Sequence, residues 1–293
     1  MTKVSIFFVV QGVGLQAQGL LLASSLRAHL GDKVDLIAYI PDGDMPSEAV
    51  CAAYASLRVD LRVFEVPKTA WAKPYPHGNK ILAATQPRDA DIHVFLDTDM
   101  VCVAPIDFKG IMAPGKVSVV PEGIPSWGKT GDRWDRAYAH FDLPMPTERV
   151  RLTRRKRREF LPYFNAGLVA FHDSYDGRNF AELWYETARD FDVNCAVGGK
   201  RPWLDQITLP LTMARFGIGY NVIPAEHNFS ISGRPFEPNA RPKILHYHRM
   251  RYGADWPQFT AEMTRMIDWL GDTQISAFPP EVIEVWEGVA AAP

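Results

Sequence analysis

Short apolar runs alternate with segments of helical periodicity along most of the chain. Val4–Val10 is apolar apart from Ser5, and in Leu15–Leu30 leucine and alanine recur at helical spacing until Gly31. The first pattern is typical of a buried strand and the second of a helix packed on it. The same reasoning predicts further strands over 34–40, 59–66, 92–96, 116–121, 163–171 and 243–248, and further helices over 47–57, 81–85, 180–191 and 256–269, with another starting near 203.

Strands that alternate with helices indicate an α/β protein with a mixed, mostly parallel sheet flanked by helices. The chain has 293 residues, of which 47% are hydrophobic, enough for a sizeable core. We predict one Rossmann-like domain over residues 1–287 and a frayed tail over 288–293.

Charge and cysteine content exclude several classes of protein. The formal net charge is −2, which gives no overall case for nucleic-acid binding. Cys51, Cys102 and Cys195 are far apart and form no C-x-x-C pair, so neither a disulfide framework nor a zinc–cysteine site is indicated. The first apolar run lacks a cleavage site, and no stretch approaches the roughly 18 apolar residues of a membrane span. We therefore expect a cytoplasmic protein.

Two carboxylates stand where a predicted core strand ends. Asp97-Thr98-Asp99 directly follows the run 92–96. Charged groups are rarely buried without a partner, and ligands of open α/β sheets collect at the carboxyl ends of strands. The triplet therefore predicts a divalent-metal site that faces a nucleoside diphosphate; the alternative is that the aspartates only cap a turn.

A histidine near the end of the chain could complete this site. The short strand 243–248 carries His246 and His248 on one face. The carboxylates of Asp97 and Asp99, an imidazole nitrogen of His246 and two diphosphate oxygens would nearly fill an octahedral shell of Mn²⁺ or Mg²⁺, and the imidazole favours Mn²⁺. A lone histidine is otherwise more often a core residue.

Other polar residues occupy positions where a ligand could approach. Lys80, at the start of the helix before the acidic strand, would point to the same edge of the sheet, unless it is a solvated surface residue. Asn165-Ala166-Gly167 opens an apolar strand with an amide and two small residues. Asp205 and Gln206 begin a helix, although Asp205 could simply be its N-cap.

Glycines after the first strand raise a dinucleotide-binding alternative. Gly12, Gly14 and Gly19 have the spacing G-x-G-x4-G, and no acidic residue closes the second strand, so a tight turn or an approaching nucleotide base is favoured over a dehydrogenase. Trp127, Trp134 and Tyr138 either line an acceptor site or belong to the core.

A strongly basic segment runs from Arg149 to Arg158, with seven positive charges in ten residues. Such a block repels itself, so it is either a mobile loop or a patch for phosphate, anionic lipid or an acidic acceptor. Because the rest of the chain is nearly neutral, a local anionic contact, including peripheral contact with an anionic membrane at the inner face, is preferred to nucleic-acid binding.

Five short motifs occur in a fixed order. They are Lys80, Leu96-Asp97-Thr98-Asp99, Phe164-Asn165-Ala166-Gly167, Leu204-Asp205-Gln206 and Leu245-His246-Tyr247-His248. Together they resemble the GT-A glycosyltransferases, in particular glycosyltransferase family 8, the group of glycogenin and the bacterial lipopolysaccharide galactosyl- and glucosyltransferases. The family's late motif continues through a glycine to Lys-Pro-Trp, which this chain lacks, so Arg249 or Arg251 would have to replace that lysine. The first strand also lacks the family's usual acidic residue and tyrosine.

The resemblance implies a metal-dependent transfer of a sugar from a nucleotide diphosphate sugar, with UDP favoured, to a glycan, lipid-linked or other hydroxyl acceptor, with retention of configuration. It implies metal ligation by Asp97, Asp99 and His246, and a catalytic role for Asp205 and Gln206. The donor-binding residues implied in the same way are Val10, Gln11, Gly12, Lys80, Asp97, Thr98, Asp99, Asn165, Ala166, Gly167 and Arg249.

Three alternatives stay open. Asp205 could act as a general base in an inverting reaction. A nucleotidyltransferase would want basic residues after the first strand, and residues 11–18 contain none. A non-catalytic protein that binds nucleotide sugars or glycans on the same fold would have little use for a complete set of metal ligands.

Overall fold

The computed structural model describes residues 2–154 and 157–288. The strands are β1 (Val4–Val9), β2 (Asp35–Pro41), β3 (Val59–Phe64), β4 (Ile92–Leu96), β5 (Met100–Cys102), β6 (Lys116–Pro121), β7 (Val150–Arg151), β8 (Glu159–Phe160), β9 (Phe164–His172), β10 (Gly219–Val222), β11 (Phe229–Ser230) and β12 (Ile244–His246). The helices are α1 (Gly12–Leu30), α2 (Glu48–Ser56), α3 (Asn79–Thr85), α4 (Arg133–Ala139), α5 (Phe180–Asn194), α6 (Leu204–Arg215), α7 (Pro257–Ile275) and α8 (Pro280–Glu287).

Within the described residues a seven-stranded sheet has the order β10-β6-β9-β4-β1-β2-β3. Its strands are parallel except for β9, which runs antiparallel to both β4 and β6. The predicted α/β class with a mixed, mostly parallel sheet is thus confirmed. Because β9 is reversed, its first residues, not its last, lie at the edge where β4 ends.

A second, three-stranded sheet closes this edge. Its order is β11-β12-β5, with β12 antiparallel to β5 and His246 opposite Met100. The chain turns from β4 into β5 through the acidic triplet, and the amide of Tyr247 donates to the carbonyl of Asp99 at 3.0 Å. The second sheet therefore brings the predicted histidine next to the predicted acidic pair.

Apolar clusters cover both faces of the large sheet. One contains side chains of α1, α2, α7 and α8, and the other contains those of α3 to α6. Trp127, Trp134 and Tyr138 belong to the second cluster and are at most 4% exposed, with the two indole rings edge to face at 4.8 Å. The sequence left open whether these aromatic residues line an acceptor site or belong to the core, and the structure places them in the core.

Several features were not predicted. α8 and the short strands β7, β8, β10 and β11 are too short for a clear periodicity, and α7 extends past its predicted end through a non-helical Gly271 with φ 72°. The basic segment folds back as a hairpin in which Val150 pairs with Phe160. Arg155, Lys156 and most of the predicted tail, 289–293, lie outside the described residues. In the described part of the chain, no helix combines the length and apolar character needed to span a membrane.

Candidate active site

A cleft of about 460 Å³ opens at the carboxyl edge of the large sheet. The end of β1 and the start of α1 form one wall, through Gln11, Gly14 and Gln18, and the acidic triplet forms the floor. Lys80 and His248 also line it. The structure thus gathers at one edge residues that are far apart in the chain.

The acidic pair and the late histidine form a compact donor set, meaning here a group of side chains whose atoms could bind one metal ion. Oxygen atoms of Asp97 and Asp99 and a ring nitrogen of His246 all lie within 4.8 Å of one another. The amide of Asp97 donates to the carbonyl of Gly167 at 2.9 Å, which holds the triplet against β9. A Cβ on Gly167 would lie 2.8 Å from Oδ1 of Asn165 and 3.0 Å from Oδ2 of Asp97, so only glycine allows this approach.

Lys80 lies between two carboxylates. Its Nζ is 2.8 Å from Oδ1 of Asp97 and 3.0 Å from Oδ2 of Asp205, and it is only 8% exposed. Burial opposes the positive charge, but Asp205 and Asp97 together outweigh it and raise the pKa of Lys80. The alternative of a solvated surface lysine is therefore wrong, and Lys80 stays charged as a fixed link between β4 and α6.

The two aspartates of the triplet have different electrostatic surroundings. Burial and the charge of Asp99 raise the pKa of Asp97, although Lys80 acts in the opposite direction. Burial acts against ionisation of Asp99 too, but the imidazole of His246 more than compensates and holds the pKa of Asp99 well below its usual range. Asp99 is therefore the more firmly ionised of the two carboxylates.

A chain of amide hydrogen bonds orients His246. Oε2 of Glu122 accepts from Nδ2 of Asn165 at 2.8 Å, and Oδ1 of Asn165 accepts from Nδ2 of Asn228 at 2.8 Å. Oδ1 of Asn228 lies 2.9 Å from Nδ1 of His246. Because that amide oxygen can only accept, Nδ1 carries the hydrogen and Nε2 is turned toward Asp99.

The contact between Nε2 of His246 and Oδ1 of Asp99 is 3.2 Å long. With the ring hydrogen on Nδ1, these are two acceptor atoms facing each other. Such a contact is favourable only when a second proton or another cation lies between them. Without a metal this proton is present, because the opposing effect of burial is outweighed by Asp99, which raises the pKa of His246. A divalent cation would take the place of that proton.

Asp205 and Gln206 lie on α6, outside the residues that line this cleft, and Asp205 is connected to it through Lys80. Oδ1 of Asp205 accepts from the hydroxyl of Tyr75 at 3.1 Å, and Oε1 of Gln206 accepts from the hydroxyl of Tyr163 at 2.9 Å. Ser126 lies 2.9 Å from the same hydroxyl. The helix is capped at Trp203, so the alternative that Asp205 is only the N-cap is wrong.

Some of the predicted donor-binding residues lie apart from the cleft surface. Val10 and Ala166 are fully buried, although the carbonyl of Ala166 lies 3.5 Å from Nζ of Lys80. Gly12 begins α1 with φ +61° and, beside it, Gln11 accepts a hydrogen bond from Asn79. Arg249 is exposed and does not line the cleft described above.

Glu122, Asn228, Tyr75 and Tyr163 belong to the site but were not predicted from the sequence. Each is a single polar residue in a loop or at an element boundary, without a periodic pattern around it. Only the position of Glu122, at the carboxyl end of the strand 116–121, could have indicated a place at this edge.

Solved structures share this fold. The galactosyltransferase LgtC, in a complex with donor and acceptor sugar analogs, aligns with a TM-score of 0.59 at 14% identity over 90% of this chain and 95% of its own. The bifunctional glycosyltransferase WbbM aligns with a TM-score of 0.59 at 16% identity over 99% of this chain and 52% of its own. Mouse xyloside xylosyltransferase 1 aligns with a TM-score of 0.53 at 14% identity over 84% of this chain and 97% of its own.

At the level of sequence, no curated protein is significantly similar to this chain. Residues 6–217 match the model of the Rhodobacterales glycosyltransferase domain, which is well over half of the chain. This match agrees with the fold and with the motifs that suggested a nucleotide-sugar site. The chain therefore belongs to the family of the Rhodobacterales glycosyltransferase domain and is a glycosyltransferase of the GT-A fold.

Proposed function

We propose that this glycosyltransferase transfers a sugar from a UDP-sugar to a hydroxyl acceptor with the help of Mn²⁺ or Mg²⁺ held by Asp97, Asp99 and His246. One observation carries the proposal. The donor atoms of these residues converge within 4.8 Å on the floor of the cleft, and the Asn228 hydrogen bond turns Nε2 of His246 into the group.

When bound, the divalent ion would act as a Lewis acid that offsets the negative charge on the departing nucleoside diphosphate. The chain's own residues prepare the site for this. Lys80 fixes one oxygen of Asp97 at 2.8 Å, and the amide chain from Glu122 fixes the ring of His246. Ligands held in this way lose little further freedom on binding.

The surroundings of Asp205 and Gln206 favour retention over inversion. A general base for inversion needs an accessible carboxylate within hydrogen-bond reach of the acceptor hydroxyl. Asp205 is 4% exposed, and its two oxygens already contact Tyr75 and Lys80. Gln206 is less buried, and Tyr163 holds its amide oxygen, so its amide nitrogen is the polar group offered to the sugar.

The base of the donor would lie at the end of β1, near Gln11 and Gly12. UDP is preferred because of the resemblance to glycosyltransferase family 8. Residues 11–18 carry no basic side chain, which argues against a nucleotidyltransferase. Slow, metal-dependent hydrolysis of the donor without acceptor would separate an enzyme from a protein that only binds nucleotide sugars.

The donor preference is testable by thermal unfolding with UDP, GDP, ADP and TDP, each with and without Mn²⁺. A ligand at about 100 times its dissociation constant stabilises the folded state by roughly 2.7 kcal/mol. We expect UDP to raise the melting temperature only when Mn²⁺ is present, and the other diphosphates to raise it less. An equal response to all four, or none to any, would contradict the proposed donor.

The amide chain behind His246 makes a second prediction. Asn228→Leu removes the acceptor of the Nδ1 hydrogen, so the ring is free to rotate and its affinity for the metal falls. Outer partners of metal ligands typically contribute about 10- to 100-fold in affinity. We expect a loss of this size in the Mn²⁺ affinity of the protein in the presence of UDP, measured by titration calorimetry.

Asn221→Leu is the matched control, because the Asn221 amide bonds the carbonyl of Ile111, which is part of neither the donor set nor its amide chain. An unchanged Mn²⁺ affinity in Asn228→Leu would show that the amide chain does not position the ligand.

A further inference from the structure

A small recess lies on the loop that follows β6. It has a volume of about 60 Å³, and residues 123–125 form its base. Three basic side chains, Lys129, Arg154 and Arg158, stand around it. A water molecule takes up about 30 Å³ in the liquid, so the recess has room for a single carboxylate or phosphate group.

The basic hairpin is docked on this loop by backbone hydrogen bonds. The amide of Thr153 donates to the carbonyl of Glu122, and the amide of Arg154 donates to the carbonyl of Gly123, both at 3.0 Å. The guanidinium of Arg154 also donates to the carbonyl of Ser232 at 2.8 Å. Arg154 is therefore held at a defined place on the molecule.

The loop under the recess joins two parts of the candidate active site. It begins at Glu122, whose carboxylate holds Asn165, and reaches Ser126, which lies 2.9 Å from the hydroxyl of Tyr163. That hydroxyl donates to Gln206. A ligand that reaches from Gln206 over this loop would therefore meet the recess.

Two of the three cations are available for a ligand. Lys129 and Arg158 are exposed, and among residues 2–154 and 157–288 their side chains form no ion pair or hydrogen bond. The whole chain has a net charge of −2, so this positive charge is a local property of the recess. Paired cations of this kind bind oxyanions through charge-assisted hydrogen bonds.

We propose that the recess is an acceptor subsite that binds an anionic group, a carboxylate or a phosphate, on the sugar that receives the transferred residue. This assignment rests on the proposed function, since it places the acceptor near Gln206. A concave recess of this size fits one oxyanion better than the flat surface of a membrane.

The test compares wild type with Lys129→Glu/Arg158→Glu. The matched control, Arg149→Glu/Arg151→Glu, makes the same change of charge at two residues of the basic segment that do not line the recess. Each protein is saturated with UDP and Mg²⁺ and titrated calorimetrically with methyl glucuronide, glucose 6-phosphate and the neutral methyl glucoside. UDP affinity is measured in separate titrations of the same proteins without added UDP.

We expect wild type and the control to bind the charged sugars about tenfold more tightly than the neutral one, and the recess variant to lose this preference while its UDP affinity is unchanged. If charged and neutral sugars bind equally to UDP-loaded wild type, the subsite is overturned and the proposed function stands. If UDP does not bind wild type, the proposed function fails, and the acceptor assignment fails with it.

Sedimentation with phosphatidylglycerol vesicles tests the other possible source of an anion, a lipid headgroup at a membrane surface. We expect wild type and the recess variant to bind the vesicles to the same extent. Binding lost equally in both double variants, together with an equal loss of charged-sugar affinity, would assign the whole basic hairpin to a membrane surface and overturn the acceptor subsite.

Discussion

Asp99→Ala is expected to abolish the stabilisation that UDP produces with Mn²⁺ and to lower donor turnover by about 10²- to 10⁴-fold. Charge neutralisation by a metal contributes several kcal/mol at the transition state, and each 1.4 kcal/mol corresponds to about a factor of ten. Asp99 is the more firmly ionised carboxylate of the pair because His246 lies 3.2 Å from it. The measurement is the release of UDP from UDP-sugar, with and without Mn²⁺, alongside the thermal shift.

Two further variants make this result interpretable. Asp99→Asn keeps the size of the side chain and removes its charge, so we expect a similar loss without a change of packing. Asp173→Asn is the matched control: it removes another carboxylate paired with a histidine, His93, and that carboxylate is exposed. If both Asp99 variants keep a metal-dependent response to UDP, the triplet is only a turn between β4 and β5.

Lys80→Met is expected to destabilise the fold by about 3–5 kcal/mol, the usual cost of removing one partner of a buried ion pair. The variant leaves Asp97 and Asp205 facing each other without the cation that bridges them at 2.8 and 3.0 Å. Urea denaturation at pH 7 measures the change. Lys68→Met, at an exposed position, is the matched control and should stay within about 0.5 kcal/mol of wild type.

The loss of stability caused by Lys80→Met should change with pH in a definite direction. Burial and the charge of Asp99 already raise the folded-state pKa of Asp97, and removing Lys80 takes away the charge that opposes them. A group with a raised folded-state pKa loses its stabilising contribution as the pH rises. The difference between wild type and Lys80→Met should therefore be largest at pH 7 and shrink toward pH 4. A difference that grows on acidification would show that the loss comes from packing and not from the unpaired carboxylates.

The parts of the fold that sequence could predict are those in which burial leaves a pattern. The strand before the acidic triplet is apolar because both of its faces are covered, so the charges that end it stand out. The helix over 47–57 was recognisable from its N-cap, Ser47, whose hydroxyl accepts from the amide of Val50. The short strands β10 and β11 have too few residues to show a period.

The direction of a strand is not encoded in its periodicity. Nothing in the run 163–171 indicates that β9 is antiparallel to its neighbours, yet this reversal is what places Asn165 beside Glu122 and Asn228. The amide chain to His246 therefore could not be predicted residue by residue. The roles assigned to the metal-binding, donor-binding and catalytic residues stay predictions.

The pairing of β12 with β5 also determines when the cleft is completed during synthesis. The hydroxyl of Tyr247 donates to the carbonyl of Thr98 across 149 positions of the chain. A nascent chain therefore exposes the edge of β5 while most of the large sheet can already form, and an uncovered strand edge favours association with other chains. Lys80, Asp97 and Asp99 emerge from the ribosome close together in time. His246, the partner of Asp99, emerges much later. A ligand that contacts all of these groups can therefore stabilise the folded chain only after residue 246 has emerged.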